Sequence, residues 1–301
     1  MLKHANSLSK HYQKLFDPLP DPADGTLFFD KKPIQLPYSE DFPMLHYHDR
    51  YEIGICEKGG GLFLAEGVFS SVSTGDVIFV SPDRCHYSRS LDKEDMCVCR
   101  FAFVRAQAVA RLLDVISNSK TDGIAALKNA AKCVPPVIHA SEHPQAVAII
   151  SEIMNSCSLE EPNCGATAAL RLAAFILDAE KYFGNTTSAP VTYNTDDAVT
   201  KISEYLSLHY NSTDTVQELA SKCHLSESQL RRRFIAVYGM PPVAYRNDLR
   251  SKIAAELLLR TRLPVSEIAG RIGYAAESDF YRAFVKTYGK SPSEYRKDAG
   301  K

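Results

Sequence analysis

A thirteen-residue phrase occurs twice near the end of this 301-residue chain. The first copy, FIAVYGMPPVAYR, runs from Phe234 to Arg246, and the second, FVKTYGKSPSEYR, runs from Phe284 to Arg296. Phe, Tyr-Gly, Pro and Tyr-Arg recur at matching offsets. A repeat of this kind indicates that one structural unit is built twice.

Each copy is preceded by a pattern typical of a helix-turn-helix. In VQELASKCHLSESQLRRRF and VSEIAGRIGYAAESDFYRAF, a short helix carries an apolar residue followed by Ala, and a turn follows. A second helix then presents two apolar residues four apart, Leu230 and Phe234 in the first copy and Phe280 and Phe284 in the second. The Ala permits close approach of the second helix, and the apolar pair fixes that helix to the body of the domain.

The turns and helix ends support the same prediction. Gly273 stands where the second turn needs a residue tolerant of positive φ, and His224 takes that position in the first turn at a higher conformational cost. Each phrase contains Tyr-Gly, which predicts a helix end, followed by Pro and another helical segment.

The outward positions of the second helices determine what the two units do. Short polar residues at the start with Arg further along suit a helix in the major groove, although a solvated amphipathic face has the same composition. Two copies joined by the helix SKIAAELLLR favour DNA binding. Residues 196–301 hold 17 Lys and Arg against 13 Asp and Glu, a balance of +4, which leaves −5 for residues 1–195 and agrees with a polyanion partner.

Residues 200–298 resemble the DNA-binding domain of AraC/XylS transcription regulators, through LASKCHLSESQLRRRF, YGMPPVAYR, IAGRIGY, SDFYRAF and YGKSPSEYR. The resemblance implies two recognition helices in successive major grooves, ~34 Å apart. By motif position it places base reading on Ser228, Gln229, Arg231 and Arg232, and on Glu277, Ser278, Asp279 and Arg282, and Lys286 lies on the outward face of the second helix. Because two of the residues in the second helix are acidic, we expect Arg231 and Arg232 to supply more affinity.

The N-terminal half has a sequence pattern typical of β-strands. Short runs between residues 25 and 104, such as YEIGIC, DVIFV and CVCRFAFV, predict closely spaced strands of a sandwich or barrel. Helical periodicity begins at Arg105. The expected fold class is therefore α+β and multidomain, with a cupin-like β-barrel followed by helices and an all-α C-terminal domain with two helix-turn-helix units.

Four residues of the predicted barrel form a candidate site. HYHDRYE places His46, His48 and Glu52 close together, and His86 follows a strand and a Pro turn. Three imidazoles and a carboxylate suit a transition metal. The segment resembles a cupin, the sensor fold of many AraC-type regulators. Cupin enzymes use these positions for metal, whereas the resemblance to regulators implies that these residues bind a small organic effector, commonly a sugar. We expect the effector and no metal or other cofactor, with a bound metal as an alternative. The second cupin motif lacks its Gly here, and His48 at an exposed turn, His86 to Arg89 at the barrel rim, and plain barrel packing are the alternatives.

The chain divides into four expected segments. They are a sensing domain with an N-terminal arm at residues 1–140, a helical dimerisation or support region at 141–183, a linker at 184–197, and the DNA-binding domain at 198–301. The arm, around Leu15 and Phe16, folds over ligand in sugar-responsive relatives or is a frayed terminus. In the helix predicted for residues 167–183, Leu170, Ala173, Ala174 and Leu177 face either the barrel or a second subunit.

Composition indicates the cellular compartment in which the protein works. With no Trp, no apolar run of membrane-spanning length and no secretory leader, we expect a soluble cytoplasmic protein without a membrane partner. The eight Cys lack paired CxxC spacing, as is typical of reduced thiols, and Cys97 and Cys99 are expected to share one face of a strand as core thiols.

The sequence thus predicts a non-enzymatic regulator, expected to activate transcription, that is controlled by a small effector and binds a double-stranded DNA operator as a homodimer that recruits RNA polymerase. The alternatives are a metal-dependent cupin enzyme or metal sensor with an appended DNA-binding domain, and a ligand-free regulator controlled by its abundance.

Overall fold

The N-terminal half is a β-rich domain of two facing sheets. The computed structural model describes residues 13–16, 27–29, 32–38, 44–65, 68–117, 127, 130–158, 163–184 and 197–299. In these residues one sheet has the strand order β1-β4-β9-β6-β7, and the other has the order β11-β8-β5-β10-β2, with β3 also paired to β10. The strands are β1 (Gln13–Phe16), β2 (Leu27–Phe29), β3 (Ile34–Gln35), β4 (Met44–Tyr47), β5 (Arg50–Lys58), β6 (Gly60–Ala65), β7 (Val68–Ser73), β8 (Val77–Val80), β9 (His86–Ser90), β10 (Val98–Arg105) and β11 (Val137–Ile138).

Side-chain alternation sorts the strand residues between the interior and two covered outer faces. On β6, Phe63 and Ala65 join the cluster between the sheets, whereas Leu62 and Leu64 point outwards. The whole of β6 is nevertheless buried, which requires a cover on its outer side.

Helices cover the outer face of the sheet that contains β5, β8 and β10. They are α1 (Ala106–Ser117), α2 (Pro144–Ser158), α3 (Cys164–Leu177) and α4 (Ala179–Phe183). Tyr51, Ile53 and Phe79 pack against their apolar faces. The single helix expected for residues 167–183 is interrupted at Asp178, which ends α3 and precedes α4.

The C-terminal domain is helical. Its helices are α5 (Asp197–Leu208), α6 (Val216–Lys222), α7 (Glu227–Tyr238), α8 (Pro242–Arg260), α9 (Val265–Arg271), α10 (Glu277–Tyr288) and α11 (Pro292–Ala299). Helix α8 is longer than the segment SKIAAELLLR that indicated it, because Pro242 at its first turn starts the helix within the repeated phrase. Of the linker expected at 184–197, only Gly184 and Asp197 lie among the described residues.

The C-terminal domain covers the outer face of the other sheet. Leu62, Leu64 and Phe69 belong to the same apolar cluster as Ile253 of α8. Two hydrogen bonds also cross this interface. Arg260 donates to the Ser73 hydroxyl, and Arg271 donates to the Tyr38 hydroxyl at 3.0 Å. The protein is therefore an α+β molecule of two domains, in which the C-terminal domain also buries one face of the β-domain.

Candidate functional site

The first helix-turn-helix unit consists of α6 and α7. Thr215 and Glu218 form a capping box at the start of α6, and Ser226 and Gln229 form another at the start of α7. These caps satisfy backbone amides that have no partner within the helix. His224 in the turn adopts φ 57°, the left-handed conformation predicted from its position.

The second unit, α9 and α10, has the same course with different local chemistry. Gly273 occupies the turn at φ 87°, and an added Cβ there would overlap the carbonyl oxygen of Asn211. Pro264 and Ala276 precede the two helices and provide no side-chain cap. Only a glycine therefore fits the second turn, and its helix starts are less well satisfied than those of the first unit.

The aromatic residues of the repeated phrase form equivalent packing triads. In the first unit the ring of Phe234 lies 4.7 Å from Tyr238 and 5.3 Å from Tyr245, measured between centroids. In the second unit the matching distances are 4.6 and 5.3 Å. Each triad fixes the recognition helix to the helix that follows, which explains why Phe, Tyr and Tyr recur together.

The arginine that ends each phrase also has one role in both units. Arg246 donates to the carbonyl oxygen of Asp214 at 2.7 Å, and Arg296 donates to that of Leu263 at 2.7 Å. Both acceptors lie immediately before the cap of the unit's first helix. The sequence interpretation did not assign these arginines a role; their recurrence beside Tyr was the available signal.

The predicted DNA-facing residues all lie on exposed positions of α7 and α10. They are Ser228, Gln229, Arg231, Arg232, Glu277, Ser278, Asp279, Arg282 and Lys286. Arg231 pairs with Glu227 at 2.7 Å, and Arg282 pairs with Asp279. Exposed ion pairs of this kind contribute only ~0–1 kcal/mol, so that phosphates and bases can compete for both arginines.

Part of the positive charge counted in the sequence is not available to DNA. Arg250 is buried and donates to the carbonyl oxygens of Tyr210 and Ser212 at 2.7 and 2.8 Å. Its role, like that of Arg246, is to hold the loop before α6.

The four candidate effector residues lie together inside the β-domain. His46 on β4 is directly opposite His86 on β9, and their ring centroids are 4.2 Å apart. One carboxylate oxygen of Glu52 on β5 lies 2.8 Å from Nε2 of His48 and 2.9 Å from Nε2 of His86. We call these four residues the histidine cluster.

Two alternatives left open by the sequence are excluded by this arrangement. His48 is 1% exposed in the connection between β4 and β5, and His86 is 1% exposed within β9. Neither lies at an exposed turn or rim, because strand pairing draws both to the same carboxylate.

The ring orientations constrain the protonation of the histidine cluster. Nδ1 of His48 lies 3.0 Å from the Arg50 carbonyl oxygen, and Nδ1 of His86 lies 2.8 Å from that of Arg84. Carbonyl oxygens only accept, so both Nδ1 atoms carry hydrogen in these bonds. A neutral ring then directs its Nε2 lone pair at Glu52, and two such contacts require a bridging proton or cation.

Glu52 responds to the same environment. Burial alone raises the pKa of this carboxyl, but the charge of His86 and hydrogen bonds from His48 and His86 outweigh burial and lower the pKa well below its usual range. The ionised carboxylate therefore stabilises the fold above the ordinary Glu pKa, and that contribution is lost as the pH falls through the lowered value.

The predicted arm lies partly within the described residues. Gln13–Phe16 pairs in parallel with β4, and Leu15 is opposite His46. The backbone of this segment thus runs beside the histidine cluster. Residues 1–12 and 17–26 lie outside the described residues.

Family models match both halves of the chain. The model described as an AraC-like ligand binding domain matches residues 37–157, and the model described as a helix-turn-helix domain matches residues 219–298. No helix in the described residues has the length and apolar character needed to cross a membrane.

Several known proteins are similar to this chain. The RCS-specific HTH-type transcriptional activator RclR of Escherichia coli (strain K12) is 45% identical over 64 residues, which are 21% of this chain and 22% of RclR. The matched stretch is thus about a fifth of that relative. The HTH-type transcriptional activator RhaS of Enterobacter sp. (strain 638) is 24% identical over 240 residues, 76% of this chain and 78% of RhaS. A solved structure of ToxT from Vibrio cholerae is 16% identical with a TM-score of 0.39, covering 90% of this chain and 96% of ToxT.

Proposed function

Because this chain is an AraC family transcriptional regulator, with an AraC-type ligand-binding domain and a C-terminal helix-turn-helix domain, we propose that a small effector in its β-domain controls how its two recognition helices bind an operator. The family is one of regulators and not of enzymes. A sugar or related metabolite is the effector class we propose, and activation through recruitment of RNA polymerase is the proposed outcome. A protein with this role works beside the chromosome, in the cytoplasm.

The histidine cluster is the proposed effector site. His46 is only partly buried and gives the cluster an accessible side. The rings of Phe63 and Phe103 lie 6.0 Å from His86 and 5.5 Å from His48, respectively. Imidazole and carboxylate groups between aromatic walls suit a hydroxylated ligand, since hydroxyls can both donate and accept.

The two faces of β9 support the proposed control of DNA binding, because they connect the histidine cluster with the C-terminal domain. On β9, His86 points to the histidine cluster, whereas the next residue, Tyr87, points outwards into the apolar cluster shared with the C-terminal domain. A ligand that moves β9 therefore acts on both sides of one strand. By linkage, operator DNA must change effector affinity by the same factor by which effector changes DNA affinity.

The ring orientations favour a second candidate, a metal sensor. Histidine ligands of metals commonly donate their other ring nitrogen to a backbone carbonyl, as His48 and His86 do here. Ring nitrogens of His46 and His86 and a Glu52 oxygen would then face one transition-metal ion.

Thermal unfolding of the full chain separates the two candidates. Sugars, organic acids and divalent metals are tested with wild-type protein, with His86→Gln, and with His139→Gln as a control on a histidine outside the cluster. A bound ligand at about 100 times its Kd adds about 2.7 kcal/mol of stability. We expect a sugar or metabolite to raise the midpoint of the wild type and of His139→Gln but not of His86→Gln. A rise with metals alone would favour the metal sensor, and no rise with any of these would contradict both.

Coupling is tested separately at Tyr87. We expect Tyr87→Ala to retain effector binding while the effector no longer changes operator affinity. A variant in which effector still shifts operator affinity as in the wild type would contradict the route through β9.

Dimerisation is proposed through α3. Ala173 faces the β-domain, whereas Leu170 and Leu177 are 43% and 47% exposed, with exposed Ala174 between them. A second copy would cover this stripe. Light scattering should report a dimer for the wild type and a monomer for Leu170→Glu/Leu177→Glu, and a dimer in both would place the interface elsewhere.

A further inference from the structure

Three thiols meet in the β-domain apart from the histidine cluster. Cys56 lies on β5, Cys99 on β10, and Cys97 just before β10, and all three are at most 1% exposed. Sγ of Cys97 is 3.6 Å from Sγ of Cys56 and 3.6 Å from Sγ of Cys99. The three sulfur atoms all lie within 4.8 Å of one another.

Strand register brings the thiols together. Cys99 is paired with Cys56 across the sheet, and Cys97 lies two residues earlier on the same face of the chain. A shift of register between Val98 and Cys99 bends the strand at this point. On β6, an added Cβ at Gly61 would lie 3.2 Å from Sγ of Cys97, so that glycine leaves space beside the sulfurs.

The arrangement differs from cysteines that merely fill an apolar core. Isolated core thiols behave as small apolar groups, and their sulfur atoms do not point towards one shared position. Here hydrogen bonds from Cys97 and Cys99 lower the pKa of Cys56, which favours a thiolate in the cluster. Hydrogen bonding with Cys56, together with burial, raises the pKa of Cys97 and of Cys99, so that two thiols hold the Cys56 thiolate.

We propose that Cys56, Cys97 and Cys99 form a binding site for one Cu(I) ion. Three thiolates around an ion at ~2.3 Å place their sulfurs ~4 Å apart, within the range observed. Thiolates select soft metals, and Zn(II) sites normally need a fourth ligand. Among the described residues, no further His, Cys, Asp or Glu belongs to this group. Coordination releases the remaining thiol protons to solvent and leaves the metal oxidation state unchanged.

The site lies beneath a turn of the β-domain and beside the C-terminal domain. The sulfurs lie beneath the turn at Lys58 and Gly59, since Sγ of Cys56 is 3.4 Å from the Lys58 carbonyl oxygen. The exposed segment around Asp95 closes over that turn. Gly60, the next residue, packs against Arg260 of the C-terminal domain, so the metal would lie beside the contact between the domains.

Competition with a chelator tests the site. Full-length, fully reduced protein is mixed under argon with Cu(I) held by bicinchoninate, whose colour reports the copper that the protein removes. We expect the wild type to remove one equivalent of copper, Cys97→Ser to remove none, and Cys133→Ser, a control on a thiol of the same domain, to match the wild type. Equal uptake by Cys97→Ser and wild type, or no uptake by the wild type, would overturn the proposal.

A second measurement needs no variant. Copper X-ray absorption of the loaded wild type should report three sulfur neighbours and no nitrogen or oxygen. Nitrogen ligands would place the copper at the histidine cluster and overturn the assignment. Circular dichroism of each variant verifies that a loss of copper is not a loss of fold.

Discussion

The two helix-turn-helix units have one scaffold and two different surfaces. Their aromatic triads agree to within 0.1 Å in each ring distance, and each uses an arginine to hold the carbonyl before its first helix. Their turns, caps and outward charges differ. The two units therefore share their packing residues, whereas the residues that meet solvent or DNA differ between them.

The difference in outward charge has a functional consequence. Arg231, Arg232 and Arg233 follow one another on α7, whereas α10 begins with Glu277 and Asp279 near its N-terminus. A carboxylate repels phosphate and can accept from the amino group of cytosine. The first unit should therefore supply more of the affinity, and the second can add selectivity for cytosine.

The largest expected effect tests whether the scaffolds are equivalent. Phe234 and Phe284 are both fully buried at the centres of their triads. Replacing either by Ala should cost about 3–5 kcal/mol of unfolding free energy, because a cavity replaces an aromatic ring. Urea denaturation of both variants measures the two losses. A cost below about 1 kcal/mol for only one of them would break the equivalence.

Substitutions in the two turns should change stability in opposite directions. Gly273→Ala should cost about 1–3 kcal/mol, since a side chain there is strained and overlaps the Asn211 carbonyl. Gly270→Ala, in the preceding helix with open space around it, is the matched control and should be neutral or stabilising. His224→Gly should stabilise slightly or leave stability unchanged. Thermal midpoints measure all three, and equal behaviour of Gly273→Ala and Gly270→Ala would contradict this account.

The outward charges predict unequal losses of DNA affinity. Arg231→Ala should weaken binding to a selected operator by about 1–3 kcal/mol, the range for an arginine that reads a base. Arg282→Ala should weaken it less, because Glu277 and Asp279 at the start of α10 repel phosphate, whereas Arg231 is followed by Arg232 and Arg233. Arg171→Ala, on α3 of the other domain, is the control. Fluorescence anisotropy measures the three, and a larger loss for Arg282→Ala would reverse the assignment.

Substitutions at the helix caps should give the smallest difference in stability between the two units. Ser226→Ala removes a capping box and should cost about 1 kcal/mol, whereas Ala276→Ser supplies the missing cap and should gain some of that amount. Calorimetry of both variants resolves the sign. Two losses would show that the start of α10 does not adopt capping geometry.

The sequence predicts the local features of this molecule well. The offsets of Phe, Tyr-Gly and Pro locate both units, and the requirement for positive φ at His224 and Gly273 is met. Cys97 and Cys99 are buried on one face, as expected from strand alternation.

Features that depend on distant partners could not be predicted. Cys56 joins the other two thiols only through the register of β5 and β10, which no local pattern specifies. Both faces of β6 are buried because the C-terminal domain, about 190 residues later in the chain, covers the outer face. Arg246 and Arg250 hold carbonyl groups 32 and 40 residues earlier in the chain, which no local pattern locates.

Selection from a random DNA library with full-length protein tests whether the two units read successive major grooves. Two recognition helices in one domain predict an enriched sequence with two conserved blocks centred ~10 bp apart, one helical turn. Arg231→Ala should lose sequence preference in one block and keep it in the other. A single enriched block, or no enrichment above the starting library, would contradict the account of two units reading successive major grooves.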